Sequence, residues 1–225
     1  MGTFETLKSA GVRAGDEVVV PAYGNAEVAE AVVQLRALPV FADVDADSYC
    51  VDPAAVSDVV TSRTAAVVAV HRFGRRANEA WIREVGQRHG LLVVVEEEPG
   101  ADPGGVERRR EHASYLDGRL SGVRTPEAAV GHTYEHYVVR VPGNGRPDRD
   151  AFVRALRAKG VMCRVPVQAP VYRMPGLRRD VFLPHTERAV DETLALPAHA
   201  GLSRRELHKV VGACNALGGL LQPAF

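Results

Sequence analysis

The chain has 225 residues, 46% of them apolar, and 28 basic residues balance 28 acidic ones. That length suits one large domain or two small ones with a real core, and the balanced charge argues against a nucleic-acid or polyanion binder. Cys50, Cys163 and Cys214 are isolated, no apolar run reaches bilayer-spanning length, and no charged-then-apolar leader opens the chain, so a cytoplasmic, metal-free protein off the membrane is expected.

The first half alternates. Glu17–Pro21 reads as a buried strand, Ala26–Ala37 as a helix, Pro39–Val44 as a strand. Asp52–Val60 is a short helix with Asp52 as cap and Pro53 at its first position. Ala65–His71 is a continuous apolar strand, Asn78–Gly90 a helix closed by glycine, and Leu91–Glu97 the fourth strand. Val/Leu runs separated by helices predict a parallel sheet covered on both faces.

The second half changes character. Gly104–Leu120 reads as a long helix, His132–Pro142 as a strand and Arg146–Gly160 as a helix. Val161–Val167 is a strand interrupted by Pro166, hence at an edge. His185–Leu196 and Ser203–Leu217 are helices, the latter opened by a Ser203/Glu206 capping box. The expected division is an α/β domain over residues 1–102 and a small α+β domain over residues 103–225.

The segments PVFADVDADSYCVDP, TSRTAAVVAVH and RHGLLVVVE, followed by HTYEHYVVRVP, RDAFVRALRAKGV and LPHTERAVDETLALPAHAGLSRREL, resemble the DegT/DnrJ/EryC1/StrS sugar aminotransferases. The resemblance implies a reduced form of the fold-type-I pyridoxal phosphate (PLP) fold, with strand order 2-1-3-4, helices on both sheet faces, and a small C-terminal α+β domain. It also implies a homodimer.

The departures from the family pattern are many. The family segment that carries the cofactor-bonded lysine and a phosphate-binding serine is missing after the fourth strand. Only Lys8, Lys159 and Lys209 exist, and none stands in its place. The family aspartate that meets the cofactor's ring nitrogen falls at Glu96, the stacking aromatic at Asn25, and a substrate-facing histidine at Pro166. Gly2-Thr3 matches the end of a phosphate-binding motif. These changes together lead to the expectation that PLP is lost and no cofactor is bound.

Ligands of such sheets bind outside the C-terminal strand ends. A cleft there would be lined by Tyr23, Asn25 and Arg72 as substrate contacts, with His71, Glu96 and Glu98 as the catalytic groups. Tyr134 and His136 of the second half form a further polar group expected to face a substrate. His71 and Glu96 could make a general acid/base pair. The opposite reading stands beside it, in which the glutamates meet Arg72, Arg75 and Arg76 as ion pairs and His71 is structural.

The leading expectation is therefore a PLP-independent enzyme acting on a small metabolite of a secondary-metabolite or sugar pathway, by isomerisation, dehydration or cyclisation. A non-catalytic pseudo-aminotransferase that partners another pathway enzyme is the second reading, and a residual PLP binder the third. The fourth strand would be an open sheet edge, which a helix or a second subunit must cover.

Overall fold

The computed structural model describes residues 2–98, 104–142 and 148–218. The chain forms two compact units. The first comprises Met1–Arg72, Arg76–Pro99 and Ala169–Arg188; the second comprises Phe73–Arg75, Gly100–Gln168 and Ala189–Phe225. The boundary expected at residues 102 and 103 lies outside the described residues.

The first unit runs α1 (Thr3–Ser9), β1 (Glu17–Pro21), α2 (Ala26–Gln34), β2 (Leu38–Ala42), α3 (Pro53–Val59), β3 (Thr64–Val70), α4 (Glu79–His89) and β4 (Leu92–Glu96). Its four strands are all parallel, in the order β2-β1-β3-β4. Strand periodicity divides the side chains between two cores. Val18, Val20, Val68, Val70 and Val94 pack with Leu7 of α1 and Val28 and Val32 of α2. Val19, Val67 and Ala69 pack with Val56 of α3 and Ile82 and Val85 of α4. Each fully buried valine contributes on the order of 1.5–3 kcal/mol, which is why β1 and β3 are almost wholly apolar.

Local signals set the helix ends. The Asp52 carboxylate accepts the Ala54 N–H at 2.9 Å with Pro53 in the first turn, and Asn78 Oδ1 accepts the Trp81 N–H at 3.2 Å. Gly90, at φ +68, closes α4 in the left-handed region that favours glycine.

The second unit holds α5 (Val106–Asp117), β5 (Tyr137–Arg140) and α6 (Asp148–Ala158). The chain then returns through residues 169–188 to the first unit and starts α7 (Pro184–Glu192). It ends with β6 (Thr193–Leu196) and α8 (Arg204–Gly218). Strands β5 and β6 pair antiparallel, Val138 against Ala195. Three differences from the sequence reading stand out. The helix expected over His185–Leu196 stops at Glu192 and turns into β6. The strand expected from His132 begins at Tyr137. Val161–Val167 makes only an isolated bridge, Arg164 to Ala195.

Residues 169–188 go with the sheet for a visible reason. The Val171 N–H donates to the Ala22 carbonyl at 2.9 Å, and Val171, Tyr172 and Leu177 join the core of the α1/α2 face. Among the described residues no helix is long and apolar enough to cross a membrane.

Candidate functional site

In the β3–β4 register Val70 stands opposite Glu96, and the His71 N–H donates to the Glu96 carbonyl at 2.9 Å. Successive side chains point to opposite faces, so the three glutamates that end β4 are divided between two places. His71 continues the Val67, Ala69 face and lies beside α4. Its Nδ1 accepts the Ala77 N–H at 3.0 Å. Its Nε2 is 3.5 Å from Glu79 and 3.8 Å from Glu97. Arg76 bonds the Glu79 carboxylate at 2.7 Å and, with Arg83, holds its pKa below the usual carboxylate range against the opposing cost of burial. The histidine thus meets Glu79 and Glu97, and the structure does not bring its ring together with Glu96.

Glu96 and Arg72 stand on the other face. The Thr3 hydroxyl donates to Glu96 Oε2 at 2.8 Å from the start of α1. Arg72 is buried, pairs with Glu98 at 3.0 Å and bonds the Asn25 side-chain oxygen. The Glu98 side chain is only 13% exposed, so this ion pair is largely out of water. The Arg72 guanidinium also lies 5.6 Å from the centre of the Tyr23 ring. Tyr23 itself is fully buried and stacks on Tyr49 at 5.6 Å, which gives it a packing role beneath the arginine. Gly24 makes room for the arrangement: at φ +71, a Cβ there would stand 2.5 Å from Arg72 Nη2. Asn25, also left-handed at φ 55, starts α2 and turns its oxygen to the same guanidinium.

The second unit carries its own polar cleft of about 220 Å³, lined by residues 134–137, Met162, Arg164 and residues 195–199. Tyr134, at φ 48, stacks its ring 3.9 Å from that of His132. The Arg109 side chain is buried and bonds the Glu135 carboxylate at 2.8 Å and the Thr133 carbonyl at 2.9 Å. Arg164 Nη2 is 2.6 Å from His136 Nε2. Arg109, Arg164 and Glu79 escaped the sequence reading: Arg109 and Glu79 stand on helices among other charges, and Arg164 lies in the segment read as an edge strand. The HTYEH segment was the one signal pointing to this cleft.

Among the described residues no group of three or more His, Cys, Asp or Glu side chains could hold a metal ion. Lys8 lies on α1 with its Nζ 5.5 Å from the Phe4 ring centre, and Lys159 and Lys209 belong to the second unit, Lys209 over Gly160.

The comparisons with known proteins now bear on this geometry. Residues 3–97 and 104–215 match the DegT/DnrJ/EryC1/StrS aminotransferase family. The chain is 38% identical over 154 residues to a putative L-glutamine:3-amino-2,3-dideoxy-scyllo-inosose aminotransferase of Streptomyces kanamyceticus, a match covering 67% of this chain and 34% of that protein. Matches to other curated relatives span from 21% to 38% of their length. Among solved structures, the aminotransferase TlmJ of Streptoalloteichus hindustanus superposes with a TM-score of 0.86 at 24% identity, covering 98% of this chain and 84% of that one. NtdA of Bacillus subtilis, solved with bound cofactor PMP, gives a TM-score of 0.85 at 17% identity, covering 96% of this chain and 71% of that one.

These relatives are enzymes of one kind, and they overturn two expectations. The reading of a PLP-independent isomerase, dehydratase or cyclase, or of a pseudo-aminotransferase, does not stand against aminotransferases 38% identical to this chain. Nor does the expectation that no cofactor is used, since the family that the chain matches is one of aminotransferases. That reading gave too much weight to lost contacts; the exchange at Glu96 is acid for acid and keeps a carboxylate at the end of β4. The chain belongs to the DegT/DnrJ/EryC1/StrS aminotransferase family.

Proposed function

We propose that the chain is a component of an aminotransferase acting on a cyclic polyol ketone, and that another chain supplies the lysine it lacks. The observation that carries this reading is the 38% identity to the inosose aminotransferase, over two thirds of the present chain. The strand-end residues fit part of a pyridoxal cofactor. Glu96, whose carboxylate accepts the Thr3 hydroxyl at 2.8 Å, would offer its charge to a ring nitrogen. They do not include a lysine to offer the amine. When bound, the cofactor supplies the electron sink for amino-group exchange. The residues of this chain would hold charge beside it: Arg72 is oriented by Glu98 and Asn25, and Glu96 by Thr3.

The partner in this reading is a full-length enzyme of the same family, or a second copy of this chain that completes a homodimer around it. The compartment is the reducing cytoplasm, which suits three free, buried cysteines.

The test is amino transfer from L-glutamine to an inosose, measured for this chain, for a full-length family aminotransferase, and for the two mixed. Borohydride trapping with pyridoxal phosphate and peptide mapping accompany it. The expected result is no adduct on this chain and a higher rate for the mixture than for the sum of its parts. An adduct on Lys8, Lys159 or Lys209 would refute the need for an outside lysine. A mixture no faster than the full-length enzyme alone would refute the component role.

A further inference from the structure

The two edges of the sheet in the first unit are not alike. At β2 the Leu38 N–H donates to the Asp16 carbonyl at 2.8 Å and the Ala22 N–H to the Ala42 carbonyl at 3.2 Å. Leu38, Val40 and Ala42 therefore turn their backbone groups to β1, and the outward position between Leu38 and Val40 is Pro39, which has no N–H to give. At β4 the His71 N–H donates to the Glu96 carbonyl, so Leu92, Val94 and Glu96 face β3, while Val93 and Val95 each turn an N–H and a C=O outward. Among the described residues nothing bonds these outward groups. Proline blunts the first edge; neither proline nor charge stands within Leu92–Val95 to blunt the second.

The two ends of β4 differ in charge. The basic Arg88 and His89, in the last turn of α4, lead into it, and Glu96, Glu97 and Glu98 follow its apolar run. A parallel strand of the same sequence would set carboxylates side by side, whereas an antiparallel one sets the acidic end of each strand by the basic end of the other. We propose that β4 pairs antiparallel with β4 of a second copy of this chain, about a two-fold axis at Val94. Val93 then faces Val95 of the second copy, and each such pair exchanges two backbone bonds. Glu96 stands opposite Leu92 and Glu97 opposite Leu91, near the basic end of α4. The contact joins the two four-stranded sheets into one, and being self-complementary it closes at two copies. It rests on the first unit alone and holds whatever reaction the chain serves.

Disulfide trapping of the full chain tests the register. Facing Cα atoms of a non-hydrogen-bonded antiparallel pair lie about 4.5 Å apart, inside the roughly 4.4–6.8 Å that a disulfide spans. Val94→Cys should give a covalent dimer on oxidation with diamide, and Val93→Cys, which faces Val95 rather than itself, should give several-fold less. The wild type, whose Cys50, Cys163 and Cys214 are buried, is the blank. Val95→Pro removes an outward N–H and no bond of the β3–β4 ladder, so sedimentation equilibrium should show dimerisation weakened about tenfold or more, with cooperative melting kept. If that variant fails to fold, the trapping decides. Four outcomes would each overturn the proposal: no covalent dimer from Val94→Cys; more from Val93→Cys than from Val94→Cys; a folded Val95→Pro that dimerises like wild type; or a chain that stays single alone and pairs only with a full-length family aminotransferase. None of these readouts uses amino transfer, so the pairing and the transfer reading can fail separately.

Discussion

His132 is buried at 4% exposure, with its ring stacked on Tyr134 and its Nδ1 accepting the Tyr134 N–H at 3.0 Å. Burial is the main force on its titration; the nearby Arg75 and Arg110 guanidinium groups act in the same direction, and together they push its pKa down to about 4. A depressed histidine contributes stability that is fully present above its unfolded pKa of about 6.5 and is lost as pH falls towards the folded value. The ceiling of that contribution is about 3 kcal/mol. Urea unfolding at several pH values between 7 and 4.5 should show the wild-type midpoint falling faster than that of His132→Gln. Parallel curves would mean that the imidazole is not held neutral. At this scale the sequence was only half legible. Alternation along β4 separated Glu97 from Glu96 and Glu98 without any structure. The partner of His71 needed the register of two strands distant in sequence, which places Val70, not His71, against Glu96. Glu79 as a neighbour of His71 depends on the turn between β3 and α4, and residue spacing carries no direct signal of it.

At the scale of elements, the sheet was legible because its signals are local and repeated. Valine runs gave β1, β3 and β4, and Asp52, Asn78 and Gly90 marked helix ends by chemistry that acts within a few residues. The missed strand β6 shows where local signals fail. ERAVDETLAL has helical spacing throughout, yet Thr193–Leu196 pairs with β5 and is buried along its whole length. A long-range pairing outweighed the local preference. The start of α7 is likewise settled at a distance. Asp43, just past β2, accepts the His185 N–H at 3.0 Å, the Thr186 N–H at 2.8 Å and the Thr186 hydroxyl at 2.7 Å. It acts as the N-terminal cap of a helix more than a hundred residues away and ties residues 169–188 to the sheet. Asp43→Ala should therefore cost about 1–3 kcal/mol. Urea unfolding would report the loss, and hydrogen exchange should speed up at the amides of His185 and Thr186. An unchanged midpoint with unchanged exchange at both amides would show that α7 does not depend on this carboxylate.

For the molecule as a whole, the family was legible and the activity was not. The ordered segments from PVFADV to LPAHAGLS carry the fold, whereas the activity was judged from what the chain had lost, and the retained carboxylate at Glu96 was discounted. The same missing segment bears on assembly. Among the described residues strand β4 ends the sheet, and Leu92, Val93 and Val95 are half-buried where every residue of β1 is buried. An apolar edge strand with unpaired backbone groups is a site for further pairing, and the three glutamates guard only its tip. The aminotransferase reading needs a second chain for its lysine, and strand pairing at β4 would give that chain a place to dock. The chain should therefore not remain a single 24.3 kDa species. Light scattering across a range of concentrations should give a mass near twice that value for the chain alone, or a mixed species when a full-length family member is added. A mass of one chain at every concentration, unchanged by the full-length enzyme, would leave β4 without a partner and would remove the structural basis for a shared active site.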